Sequence, residues 1–167
     1  SEYFLFYNNL INDKKLIKTM KDCRYKGVFV MHPSHMENVI DFVENDTFEI
    51  VRGFADYQSI FKECKLLVSD YSSVPFDFAY MHKPVIYSQF DKETFFGKHL
   101  YSEGYFKYER DGFGPVTHAY EETLDTIIKY IENDCVIEKK YDQRILKFYK
   151  YHDKKNCERV YNEIKKL

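Results

Sequence analysis

The sequence predicts an α/β fold, a Rossmann-like parallel sheet flanked by helices, on two observations. Short β-branched and aromatic runs alternate with segments whose apolar residues recur at helical spacing, the pattern of βαβ units. Two of those runs also end abruptly, one on Pro33 and another directly in Ser-Asp-Tyr-Ser-Ser, as chains do on leaving a sheet edge.

Taken in order, residues 2–23 place Phe4, Leu5, Leu10, Ile11, Leu16, Ile17 and Met20 on a helical period. Asn12 or Asp13 is set to cap the second half, giving two short helices or one broken one. "GVFVMHP" (27–33) reads as a buried strand ending at Met31. Ser34 caps a helix over "SHMENVIDFV", and "TFEIV" (47–51) is a second strand. A helix over 57–63 leads to a third strand, "KLLVS" (65–69), then a helix over 73–80 and a fourth strand, "KPVIYS" (83–88). After Ser88 the pattern loosens into Gly- and aromatic-rich loops with at most one short helix, and three helical segments follow over 119–132, 138–149 and 154–166.

Composition narrows the function. At 167 residues with 44% hydrophobic content the chain suits one domain with a sizeable core. A net charge of −2 gives no overall basic field, so nucleic acid is not an expected partner and any anion site must be local. The apolar runs are far short of the roughly 20 residues that span a bilayer, and no signal peptide opens the chain. Cys23, Cys64, Cys135 and Cys157 form no C-x-x-C pair and read as reduced cytoplasmic thiols rather than zinc ligands or a disulfide framework. The start at Ser1, without a Met or a preceding strand, reads as an excision from a longer protein.

Ligands of open parallel sheets bind beyond the carboxyl ends of the strands, which here means His32, Arg52-Gly53, 69–73 and 89–91. In "LLVSDYSSVPFDFA" (66–79) Ser72 or Ser73 would cap a helix whose free N–H groups and positive dipole end suit a phosphate. Pro75 falls in the first turn, where its missing N–H costs least. Asp77, four residues after Ser73, shares its face and could accept from two ribose hydroxyls. Spacing alone leaves open the alternative that the serines only cap and Asp77 is a solvated acid favoured by the dipole. His32 could serve a diphosphate or be an ordinary loop residue before proline, and Arg52 and Gly53 could contact base or phosphate or simply turn. Lys83-Pro84 lies at a strand start, on the opposite edge, and reads as a turn. "KKYDQRILKFYKYHDKK" (139–155) is a basic, aromatic helical face, which could touch an anionic surface or lie solvated over a core stripe.

"LLVSDYSSVPFDFAYMHKPVIYSQFD" (66–91) resembles the C-terminal region of the CDP-glycerol glycerophosphotransferase family, the builders of teichoic-acid and related poly(alditol phosphate) chains. The resemblance extends to "SEYFLFYNNLINDKKL", "VMHPSH", "GFGPV" (112–116) and "FYKYHDKKNCERVYNEI", nearly the whole chain. It implies the C-terminal, nucleotide-binding half of a two-domain glycosyltransferase-B-like enzyme, with 1–167 as one donor-binding domain, inactive without its other half. The implied reaction moves glycerol phosphate from CDP-glycerol to an acceptor hydroxyl and releases CMP at the inner face of the bacterial membrane. Ser72, Ser73 and Asp77 match the family's donor-binding motif and, with Arg52, Gly53, Ser69 and Asp70 from the strand ends, are the expected donor-binding residues, and His32 matches the family's catalytic His-Pro position. No protein-bound metal or tightly held cofactor is expected, although a Mg²⁺ riding on the donor is compatible with the chemistry. A CDP-ribitol donor, a UDP-sugar-dependent transferase or epimerase, and a non-catalytic interaction domain are the competing readings.

Overall fold

A computed structural model of the chain describes residues 2–31, 41–98 and 104–167. The chain opens with helices α1 (Glu2–Ile11) and α2 (Lys14–Asp22), then strands β1 (Gly27–Val30) and β2 (Phe48–Val51). Helix α3 (Tyr57–Glu63), strand β3 (Leu67–Ser69), helix α4 (Val74–Tyr80) and strand β4 (Val85–Ser88) follow. The remainder is α5 (Lys92–Lys98), α6 (Tyr108–Asp111), β5 (Val116–Thr117), α7 (Tyr120–Glu132), α8 (Lys139–Phe148) and α9 (Asn156–Ile164).

The caps explain several boundaries. Asp13 breaks the first segment in two because its carboxylate accepts from the amides of Lys15 at 2.8 Å and Leu16 at 3.0 Å, opening α2. Asp56 does the same for α3 through Gln58 and Ser59. Asn45 sets the entry to β2: its Oδ1 accepts from Thr47 and Phe48 at 2.9 Å, and its Nδ2 donates to the Ile11 carbonyl at 2.9 Å. The helix expected from Ser34 lies outside the described residues.

Among the described residues all strand pairing is parallel, as the alternation predicts, but it forms two ladders: β1 with β2, and β3–β4–β5 with β4 in the middle. Val85, Ile86, Tyr87 and Ser88 are each 0% exposed, so β4 is covered on both faces. Successive side chains of a strand point to opposite faces, and β4 divides accordingly. Ile86 joins one apolar cluster with Leu10 and Ile11 of α1, Leu16 and Met20 of α2, Ile50 of β2 and the buried side of α7. Val85 and Tyr87 join the other with Phe61 of α3, Phe78 and Ala79 of α4, Phe113, and Ile145 of α8. The result is a helix–sheet–helix sandwich. Each fully buried aliphatic side chain of this kind contributes roughly 1.5–3 kcal/mol. In α8 only one stripe, Tyr141 and Ile145, is buried, so its basic side chains form the solvated face that the sequence left as one of two options.

The region after Ser88 is more ordered than its sequence suggests. It holds α5, α6 and the two-residue strand β5, whose neighbourhood pairs with β4: the Tyr87 amide donates to the Pro115 carbonyl at 2.9 Å and the Gln89 amide to Thr117 at 2.8 Å. The "GFGPV" segment makes this approach feasible. A Cβ built on Gly114 would lie 1.6 Å from the Val85 carbonyl oxygen, and one on Gly112 would lie 2.2 Å from that of Tyr108. Arg144 of α8 then straps the segment through the Gly112 carbonyl at 2.8 Å.

Because the obstacle at Gly114 is backbone rather than a flexible side chain, Gly114→Ala is expected to destabilise the fold by about 3 kcal/mol, the upper end of overpacking costs. Gly104→Ala, where an added Cβ meets nothing within 4 Å, is expected to be near neutral. Urea denaturation of the two variants checks the contrast.

Candidate functional site

β3 and β4 are adjacent and parallel, so the segments after Ser69 and after Ser88 leave the sheet side by side at its carboxyl edge. The first carries Asp70, Tyr71, Ser72 and Ser73 into α4. Asp70 Oδ1 accepts from the Ser72 amide at 3.2 Å, and Ser72 Oγ accepts from the Val74 amide at 3.3 Å. Ser72 is therefore the capping hydroxyl. Ser73 occupies the flanking position with helical backbone (φ −80°, ψ −13°) and makes no side-chain cap bond.

This differs from a helix end with a ring of free amides. Val74 is bonded to Ser72, Pro75 has no N–H, and the Phe76 amide donates to the Ser73 carbonyl at 3.1 Å. What remains open is Ser73: it is exposed, and its amide and hydroxyl have no hydrogen-bond partner among the described residues. Asp77, one turn on, is exposed too, with no hydrogen bond or ion pair among the described residues. It lies close enough to Tyr149 to help burial raise that hydroxyl's pKa, while Tyr149 donates to the Phe76 carbonyl at 2.6 Å.

The second segment brings Gln89, Phe90 and Asp91. Phe90 stacks on Phe6 of α1 with ring centroids 3.8 Å apart. Gln89 is 1% exposed and neither polar atom of its side-chain amide has a partner among the described residues, a costly state for a buried polar group. Asp91 is half-buried and accepts from the Tyr71 hydroxyl at 3.3 Å, and the Tyr71 ring stacks on Phe95 of α5 at 3.9 Å. Burial, and then the negative charges of Asp70 and Glu2, raise the Asp91 pKa against the lowering effect of the Tyr71 bond. Burial and the charge of Asp70 likewise push up the hydroxyls of Tyr3 and Tyr7. The edge is thus acidic. It accommodates hydroxyl donors or a cation-accompanied diphosphate better than a bare anion. An open groove of about 370 Å³ adjoins it, lined by Glu2, Leu5, Asn9, His118 and Tyr120 among others.

Of the residues singled out in the sequence, Ser69 ends β3, Asp70, Ser72 and Ser73 share the loop that follows it, and Asp77 lies on the helix that the loop opens. Arg52 and Gly53 leave the other ladder at β2, where Arg52 Nε meets Glu44 at 3.2 Å and Nη2 the Phe42 carbonyl at 3.4 Å. His32 lies outside the described residues. Lys83 is more than a turn residue: its ammonium donates to the carbonyls of Phe61 at 2.6 Å, Lys62 at 2.9 Å and Cys64 at 2.7 Å, closing the C-terminus of α3. Tyr71 and Asp91 fall in the strand-exit segments 69–73 and 89–91 that the sequence marked, but neither was given a role of its own. The available signals were a carboxylate three residues beyond a strand end and an aromatic inside the serine motif.

Among the described residues no group of three or more His, Cys, Asp or Glu could hold a metal, and no helix is long and apolar enough to cross a membrane.

The raised Asp91 pKa makes a prediction with a definite sign. A carboxyl that ionises at higher pH in the folded state than in the unfolded one costs stability as pH rises above its ordinary value of 3.8. Asp91→Asn should therefore stabilise the chain at neutral pH, with the gain disappearing towards pH 3. Thermal melts across that range check it.

Comparison with known proteins agrees with this layout. The family model described as CDP-Glycerol:Poly(glycerophosphate) glycerophosphotransferase matches residues 1–166. Minor teichoic acid biosynthesis protein GgaB of Bacillus subtilis (strain 168) is 40% identical over 167 residues, covering 100% of this chain and 18% of that protein. Teichoic acid poly(glycerol phosphate) polymerase of the same organism is 29% identical over 112 residues, 67% of this chain and 15% of its own length. Teichoic acid poly(ribitol-phosphate) polymerase of Bacillus spizizenii (strain ATCC 23059 / NRRL B-14472 / W23) is 26% identical over 151 residues, 90% of this chain and 23% of its own. The chain therefore spans about a fifth of the length of these relatives. With the family model matched from its first residue almost to its last, on a parallel α/β sheet with the D-Y-S-S loop at its carboxyl edge, the chain belongs to the CDP-glycerol:poly(glycerophosphate) glycerophosphotransferase family.

Proposed function

We propose that this chain is the donor-nucleotide-binding domain of an enzyme that transfers glycerol phosphate from CDP-glycerol to an acceptor hydroxyl in teichoic-acid-type polymer synthesis. The observation that carries the proposal is the family match over 1–166 together with the 70–73 loop at the carboxyl edge of two neighbouring parallel strands. In the reaction, an acceptor hydroxyl gives its proton to a base of the other domain as its oxygen attacks the phosphorus that bears glycerol, the bond from that phosphorus to the bridging oxygen breaks, and CMP departs with the electron pair. Such transfer depends chiefly on positioning and charge stabilisation.

The residues divide the work by their chemistry. Ser73, with its open hydroxyl and amide, contacts the diphosphate, and Ser69 and Ser72 shape the loop that presents it. Asp77 accepts from the ribose diol, a role suited to an exposed carboxylate with no partner among the described residues. Asp70 fixes the turn through the Ser72 amide. Arg52 and Gly53, at the exit of β2, are assigned to the base or phosphate of the same donor. His32, following β1, neutralises charge on the departing phosphate. A Mg²⁺ carried on the diphosphate would meet the carboxylate of Asp70 and offset the repulsion of the donor by the acidic edge. The acceptor site and the remaining catalytic groups belong to a partner domain of the full-length enzyme, which works on the cytoplasmic side of the membrane and touches its inner face.

A CDP-ribitol donor is the second reading, supported by the poly(ribitol-phosphate) polymerase relative aligned over 90% of the chain. Calorimetric titration with CDP-glycerol, CDP-ribitol, CMP and a UDP-sugar separates the possibilities. The proposal expects CDP-glycerol and CMP to bind more tightly than the UDP-sugar; the reverse order would sink it, and no binding of any cytidine ligand would favour a non-catalytic domain. In the intact enzyme, His32→Ala should lower turnover by about two orders of magnitude or more without changing the melting temperature.

A further inference from the structure

We propose that Asp91 is a positioning residue: through the Tyr71 hydroxyl it holds the 70–73 loop in the shape that receives the donor nucleotide. The proposal rests on the donor-site reading above and adds to it a residue from the neighbouring strand exit.

The loop has its own short-range bonds, Asp70 to the Ser72 amide and Ser72 to the Val74 amide, which fix its local turn. They do not fix how the turn sits against the rest of the edge. Tyr71 does that, because its side chain leaves the loop and reaches the segment after β4. Its ring lies on Phe95 with centroids 3.9 Å apart and planes within 14°, and its hydroxyl donates to Asp91 Oδ1 at 3.3 Å. Tyr108 of α6 adds an edge-on contact with the same ring, centroids 6.3 Å apart. The stack sets the plane of the ring, and the hydroxyl bond sets its position within that plane. Ser72 and Ser73 follow Tyr71 directly, so a shift of the ring displaces the groups assigned to the diphosphate. Asp91 is itself firmly placed: the Gln89 backbone amide two residues earlier is bonded to Thr117, and the Asp91 carbonyl accepts from the Phe95 amide at 2.8 Å, so the carboxylate that holds Tyr71 and the Phe95 ring on which Tyr71 stacks share one turn of backbone.

A carboxylate that acts this way works as a hydrogen-bond acceptor, and its charge is dispensable. Asn at position 91 keeps an acceptor oxygen; Ala does not. Tyr71→Phe keeps the stack and removes only the hydroxyl, so it tests the same bond without opening the aromatic packing.

The experiment is a titration of the chain with CMP and CDP-glycerol for wild type, Asp91→Ala, Asp91→Asn, Tyr71→Phe and the Asp91→Ala/Tyr71→Phe double variant. Expected are about 5- to 10-fold weaker binding for Asp91→Ala and for Tyr71→Phe, the range for loss of one hydrogen bond. Asp91→Asn should recover most of that loss. The double variant should bind no more weakly than either single one, because both remove the same contact. In the intact enzyme the single variants should raise KM for the donor and leave kcat nearly unchanged. General loss of structure would instead lower the melting temperature and affinity additively. Wild-type affinity in Asp91→Ala, or additive losses in the double variant, would overturn the positioning role while leaving the donor site intact. A wild-type chain that binds neither cytidine ligand would overturn the donor-site reading and this role with it.

Discussion

The architecture depends on the complete burial of β4. Three of its four residues contribute to two separate apolar clusters, Ile86 to one and Val85 with Tyr87 to the other, so both helical layers pack on the strand. Its backbone must also accept a close neighbour on the β5 side, which the chain permits by placing Gly114 against the Val85 carbonyl. Even the polar residue at its end is paired inward: Ser88 Oγ lies 3.3 Å from Thr123 of α7, whose hydroxyl is 2.8 Å from that of Thr117. A strand anchored so thoroughly gives the chain leaving it a fixed point of departure.

That fixed departure is what makes a site out of loops. Gln89 and Asp91 emerge from β4 beside the D-Y-S-S turn emerging from β3, and the two segments are joined by Tyr71 rather than by backbone pairing. The local charge is negative, from Asp70, Asp91 and Glu2, in a chain whose net charge is only −2. An acidic edge next to an exposed serine with open hydroxyl and amide suits a ligand that is polyhydroxylated at one end and phosphorylated at another. Nucleotide-activated alditols have that division of chemistry.

Much of this was legible in residue order, and the exceptions share a cause. α3 could be delimited because Asp56 and the apolar spacing of its segment are local signals, and the break before α2 because Asp13 is one too. The serine motif was visible as a motif. β5 was not: two residues carry no periodicity, and Val116 and Thr117 become a strand only because β4, about 30 residues earlier, offers them a ladder. Lys83 looked like part of a turn because its partners, the carbonyls ending α3, are about 20 residues away. Which serine caps α4 was also undecidable from spacing, since the answer depends on backbone angles at Ser73. Family resemblance pointed to the donor motif, but the Tyr71–Asp91 contact is a product of strand adjacency and became visible only with the fold.

Whether the carboxyl edge of β3 and β4 receives a cytidine diphosphate donor can be read from amide chemical shifts of the isotopically labelled chain during titration with CDP-glycerol. The largest changes should fall at Asp70, Tyr71, Ser72, Ser73 and Asp91, with smaller ones at Asp77. Shifts concentrated instead on the exposed face of α9, or at the opposite edge near Lys83, with the 70–73 loop unmoved, would contradict that placement of the donor.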